Sequence, residues 1–171
     1  MLGKDIADLS FPILMSSHGL GTLAFGEDGT LLASCGDAGS FQAADLGSSE
    51  HTYFQQALDD GILREKDNIG AFRSQMIDNL AGKIIRIDPE TGEGIPSNPF
   101  YDRTLPNAPK SKVWSLGFRN PFRFIVQPET GSHNPMSGQP GTLFIGDVGS
   151  CLLYTSPSPR DATLSRMPSS A

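Results

Sequence analysis

The sequence predicts an all-β protein made of repeated antiparallel units of four short strands, a partial β-propeller. Three observations carry that prediction. Glycine and proline are abundant, 19 and 13 of 171 residues, while apolar residues make up only 37%; that balance suits many short strands joined by turns. Short apolar and β-branched runs are separated by recurring turn signatures: Asp28-Gly29, Asp88-Pro89-Glu90-Thr91-Gly92 and Pro128-Glu129-Thr130-Gly131. No long amphipathic helical period interrupts them. Four-stranded units of roughly 40–50 residues are the spacing of propeller blades, so about 150 patterned residues make roughly three of them. Closing a propeller typically takes at least four.

The elements follow in order. Phe11–Met15 is an apolar stretch with the length of a strand. Thr22–Phe25 and Thr30–Cys35 flank Gly26-Glu27-Asp28-Gly29. Asp-Gly between two such runs signals a hairpin, because the glycine tolerates positive φ. Gly36-Asp37-Ala38-Gly39 ends the second strand. Ala43–Gln75 carries no strand pattern; Tyr53–Leu58 and Ala71–Met76 suit short helices. An insert of that length is more often functional or mobile than filler. Gly82–Asp88 reads as a strand, its branched residues favouring a pleated surface. Ser97-Asn98-Pro99-Phe100 is a stiff corner, since proline fixes its own φ and pushes the preceding residue out of the helical region. Val113–Gly117 and Arg123–Val126 are strands on either side of a second such corner, Arg119-Asn120-Pro121. A Gly/Pro-rich loop, Ser132–Gly141, leads to a last strand at Thr142–Gly146.

The formal charge of −6 argues against a nucleic-acid footprint or an anionic membrane surface. No run approaches the length of a membrane span, and no basic segment followed by an apolar one marks a signal peptide. The end of the chain is of another kind. Cys151–Ala171 has no periodicity, and Cys-Leu-Leu-Tyr-Thr-Ser-Pro-Ser-Pro-Arg-Asp resembles the translation of a transposase-type sequencing-library adapter. The expectation is a natural domain over residues 1–150, interrupted near Gly149 or Ser150, with 151–171 a disordered adapter translation. Cysteine then reduces to Cys35, and no Cys35–Cys151 disulfide is expected. In Leu31-Leu32-Ala33-Ser34-Cys35 the thiol reads as a small buried apolar group.

Arg119 stands at a strand end on a stiff corner, where a cation can meet an anionic ligand; a solvated turn arginine is the plain alternative. Its company decides between them. His18-Gly19-Leu20-Gly21-Thr22-Leu23, Phe25-Gly26-Glu27-Asp28-Gly29, Gly36-Asp37, Leu80-Ala81-Gly82-Lys83-Ile84-Ile85-Arg86-Ile87-Asp88, Asn98-Pro99-Phe100, Leu116-Gly117-Phe118-Arg119-Asn120-Pro121 and Gly146-Asp147-Val148-Gly149 stand in this order. The ordered set resembles the glucose/sorbosone dehydrogenase family, soluble quinoprotein sugar dehydrogenases.

That resemblance implies a six-bladed β-propeller with pyrroloquinoline quinone (PQQ) over the mouth of the central channel. It implies oxidation of an aldose or similar sugar, an external electron acceptor, and a periplasmic or extracellular location. His18 matches the family's general base, which takes the proton of the sugar's anomeric hydroxyl while hydride passes to the quinone; imidazole as a class suits that task. Asp37 matches the carboxylate that orients this histidine and supports the imidazolium, with a turn-capping role as the alternative. Arg119 matches the arginine beside the quinone, where a permanent cation stabilises developing negative charge. Asn120 matches a neighbouring cofactor contact. Gly149 and Ser150 match the backbone carbonyls that hold a calcium ion, a Lewis acid beside the quinone. Asp147 either helps hold that ion or ends the strand, and the strand end is the preferred reading. His51 and His133 lack such context and read as ordinary loop residues. The resemblance also implies that a chain carrying only part of the propeller is inactive alone. The runner-up is a non-catalytic interaction propeller of the hedgehog-interacting-protein type, which has no need of His18, Asp37 and Arg119 together.

Overall fold

The computed structural model describes residues 11–149. Ser150 and the 151–171 segment lie outside the described residues. Six strands form two antiparallel sheets: β1 (Leu20–Phe25), β2 (Leu31–Cys35), β3 (Lys83–Ile87), β4 (Val113–Leu116), β5 (Pro121–Val126) and β6 (Leu143–Asp147). The first four pair in the order β1-β2-β3-β4; β5 and β6 form a separate two-stranded sheet. Helix is confined to short pieces: α1 (Phe54–Asp59), α2 (Pro109–Lys112) and single 3-10 segments such as Gly70–Gln75. The protein is all-β with open sheets.

The β1–β2 hairpin forms as the Asp-Gly signature predicts. Gly29 takes φ 75°, and the Asp28 carboxylate accepts from the Thr30 amide at 3.0 Å and its hydroxyl at 2.6 Å. β2 and β3 are the central strands, buried on both faces, and the two-residue period divides their side chains. Ala33, Ile85 and Ile87 pack with Leu80 and Val113 on one face. Leu32 and Ile84 meet Phe124 of β5 on the other. This second layer fixes β5 over β1 and β2, and so fixes where the Arg119 corner lies.

One buried ion pair ties the sheet together. The Arg86 guanidinium, on β3, bonds Asp28 Oδ2 at 2.6 Å with both side chains fully buried. It also reaches Thr30 Oγ1, Ser97 Oγ, Asn98 Oδ1 and the Pro135 carbonyl, and lies over the Trp114 ring. Asn98 returns two bonds to backbone carbonyls, of Arg86 and Ser111. The Asn98-Pro99 corner is therefore a structural lock for a buried cation whose donors are all engaged.

Two expectations are corrected. Phe11–Met15 is not a strand; Leu14 packs instead on Ala38, Ala57 and Leu63, and its carbonyl accepts from the Tyr53 amide. The segment's apolar character is divided between the insert, through Leu14, and the sheet core, against which Phe11 packs. The described residues also hold one complete four-stranded unit and a two-stranded sheet, not about three units. The reason is the long connection between β2 and β3, together with the loops between β3 and β4, which consume length without adding strands.

Candidate active site

Three separate segments meet at the end of the two sheets. His18 precedes β1, Asp37 follows β2, and Arg119 sits in the turn between β4 and β5. Glycines permit the approach. A Cβ on Gly36 would fall 2.5 Å from the His18 carbonyl oxygen, and one on Gly21 would fall 2.5 Å from the Pro121 carbonyl oxygen. Only residues without a side chain allow the His18 loop and the Arg119 corner to pack so closely. The Gly36 amide then bonds the Gly19 carbonyl, and the Asp37 amide bonds the Arg119 carbonyl at 2.7 Å.

Within this frame His18 Nδ1 lies 2.8 Å from Asp37 Oδ1, the two residues being 5% and 1% exposed. The same oxygen accepts from the Gly39 amide at 2.8 Å. Asp37 Oδ2 faces Arg119 Nη1 at 3.6 Å, an ion pair longer than a hydrogen bond. Arg119 Nη2 meanwhile donates to the Ser40 carbonyl at 3.1 Å. With the carboxylate accepting from Nδ1–H, the neutral ring presents Nε2 as a lone pair. His18 lines a cleft of about 400 Å³ with Met15, Ser16, Leu20, Asn120 and Phe122.

The backbone at this place is strained. His18 (φ 55°) and Ala38 (φ 57°) are two of the four non-glycine residues with positive φ among the described residues. Such conformations cost free energy and cluster where surrounding contacts enforce a functional geometry.

Asn120 lines the same cleft. Its corner is held by a residue whose larger part the sequence did not disclose. Asp147, the last residue of β6, accepts from the Asn120 amide at 2.7 Å and the Arg119 amide at 3.2 Å. Asp147 does end the strand, and in doing so it clamps the corner. The Val148 amide adds a bond to the Asn120 carbonyl at 2.9 Å. Gly149, exposed, follows directly, and Ser150 lies outside the described residues. Among the described residues no group of three or more His, Cys, Asp or Glu could hold a metal ion.

The insert between β2 and β3 contributes from beneath. Arg73, 1% exposed, sends Nε to the Asp37 carbonyl at 3.0 Å, Nη2 to the Ala38 carbonyl at 2.9 Å and Nη1 to the Asp67 carbonyl at 3.1 Å. Burial draws its pKa below the ordinary arginine value, against the opposing pull of Asp45, Asp37 and Asp67. Lys83, also buried, donates to the carbonyls of Arg73, Ser74 and Ala81, and burial lowers its pKa to about 8. Neither cation stood out in the sequence, where both resemble solvated charges. Cys35 is buried, and desolvation pushes its thiol up to about 12, in keeping with an inert packing role. His133 is an exposed loop residue near the Glu27 carbonyl. His51 belongs to the wall of a second cleft, with Phe41 and Tyr53, which adjoins the first at Met15 and Ser16.

The sequence model of the glucose/sorbosone dehydrogenase family matches residues 12–134, which include His18, Asp37, Arg119 and Asn120. No curated protein sequence matches the chain.

Proposed function

The chain belongs to the glucose/sorbosone dehydrogenase family, and from that premise we propose that it oxidises an aldose or similar sugar with PQQ as hydride acceptor. One observation carries the reading: the buried His18–Asp37 hydrogen bond of 2.8 Å, beside a cleft and next to the Arg119 cation. In this reading Nε2 of His18 takes the proton of the anomeric hydroxyl. The C1–H bond breaks with its electron pair, so the sugar leaves as a lactone. Asp37 keeps Nδ1 protonated and supports the imidazolium, the role a carboxylate plays in hydrolase triads.

The residues present fit the cofactor in kind. PQQ is a polyanionic quinone; Asn120 supplies an amide at the cleft, and its neighbour Arg119 a permanent cation beside Asp37. Arg119 and Asn120 would hold its edge, and when bound the quinone supplies a two-electron acceptor. Calcium finds less support, since Gly149 offers a single backbone carbonyl among the described residues. Sheet faces support the propeller reading. Leu23 (68% exposed) and Ile125 (64% exposed) present apolar surface of the kind that neighbouring blades cover. In the same reading residues 1–150 are the natural domain, 151–171 are adapter-derived, and the protein works in the periplasm or outside the cell with an external electron acceptor. Among the described residues no helix is long and apolar enough to cross a membrane.

Reconstitution tests this function. Protein expressed from its complete gene, loaded with PQQ and calcium, is expected to reduce a redox dye when aldoses are added. No sugar-dependent reduction across a panel of aldoses would defeat the proposal.

A further inference from the structure

We propose that Arg73 is a positioning residue for the His18–Asp37 pair, its guanidinium fork holding the turn that aims the carboxylate. The inference rests on the reading of that pair given above.

The turn after β2 has an awkward task. It must point the Asp37 side chain at His18 while Ala38 takes a left-handed backbone conformation without the freedom of glycine. Both residues are buried, at 1% and 0% exposure, so their carbonyls have no water to turn to and need protein donors. Arg73 supplies both at once, Nε to Asp37 and Nη2 to Ala38. These are the two consecutive carbonyls that flank the strained residue Ala38.

Arg73 is itself held through both side chain and backbone. Nη1 bonds the Asp67 carbonyl, the Arg73 carbonyl accepts from Lys83 Nζ at 3.1 Å, and the residue lies in the 3-10 segment Gly70–Gln75. Lys83 belongs to β3. The turn that carries Asp37 is thus braced against the central strand through the insert, and this gives the long connection a function in the site. The guanidinium reaches its carbonyls from three separate nitrogens at fixed spacing; an ammonium serves several carbonyls only where they converge on one atom, as they do at Lys83.

The test separates positioning from plain support of the fold. Arg73→Lys and Arg73→Gln are compared with the parent, each expressed from the complete gene. The primary readout is the His18 Nδ1–H proton resonance in NMR, assigned by its absence in His18→Gln, together with the melting temperature. The proposal expects both variants to lose or broaden that resonance in folded protein. It also expects Arg73→Lys, despite its retained charge, to lose at least tenfold in kcat for sugar-dependent dye reduction, with KM within about threefold. Variants that melt earlier but keep the His18 resonance and the parental kcat per folded molecule would overturn it. Should neither variant fold, the coupling is read in reverse: His18→Gln shifts the Arg73 Nε–H resonance if the proposal holds, and an unshifted resonance overturns it. The resonance readouts need no sugar turnover. A protein that oxidises no sugar but shows the coupling refutes the function and leaves the positioning intact.

Discussion

The Asp37 amide donates to the Arg119 carbonyl at 2.7 Å, so the turn bearing the carboxylate and the corner bearing the cation are one structural unit. Positions 82 residues apart in sequence are joined backbone to backbone as well as through their side chains. The 3.6 Å ion pair between the same two residues thus stands beside a main-chain bond.

The clamp at the corner leads to a prediction about Asp147. Asp147→Ala removes the acceptor for two backbone amides, each worth about 0.5–1.5 kcal/mol net. The expected outcome is a loosened corner and PQQ affinity weakened about tenfold in a fluorescence titration, with the far-UV spectrum unchanged. Parental affinity in this variant would show that the corner stands without the clamp.

The buried Arg86–Asp28 pair sets a pH dependence. Burial opposes ionisation of Asp28, but hydrogen bonds from Thr30 and Arg86 outweigh it and hold the carboxyl below its ordinary value. A depressed carboxylate contributes stability that is complete above its unfolded pKa and is lost as pH falls through the folded one. Melting temperature should therefore decline below about pH 4. Asp28→Asn should lose about 3–5 kcal/mol of stability at pH 7 for an uncompensated buried arginine, melt at a lower temperature, and show a shallower acid decline. Parallel pH profiles for the two proteins would contradict this account.

Exposed apolar surface predicts the behaviour of the 171-residue chain in isolation. Leu23, Phe25, Phe122, Ile125 and Phe144 stand more than half exposed on the two sheets, large apolar side chains of the kind that promote association when uncovered. The chain is expected to bind a hydrophobic dye strongly and to self-associate in sedimentation. A monodisperse monomer with a cooperative melt would contradict the open-sheet picture.

Much of this was legible in the sequence, for identifiable reasons. The hairpin at Gly26–Gly29 and the strand at Lys83–Ile87 carry local chemistry, a turn glycine and a run of branched residues, that tertiary packing did not override. His18, Asp37 and Arg119 were legible as a set only through the ordered motifs that resemble the glucose/sorbosone dehydrogenase family; the structure brings their side chains together. Arg73 and Lys83 were not legible. Their partners are backbone carbonyls, which leave no pattern of complementary side chains, and a buried arginine spells the same as a solvated one. Arg86 carried a signal that went unused: a charge inside the buried run Ile84-Ile85-Arg86-Ile87 requires a partner, and Asp28 in the hairpin turn provides it. Phe11–Met15 misled because an apolar run does not specify which surface it covers.

The central claim is that His18, oriented by Asp37, accepts the sugar's proton. Sugar-dependent dye reduction by Asp37→Asn, loaded with PQQ and calcium beside the parent, tests it most directly, because the substitution preserves shape while removing the charge that fixes the tautomer. The account predicts that kcat falls by about 10²–10⁴ with KM little changed. A variant that turns over as fast as the parent would contradict it.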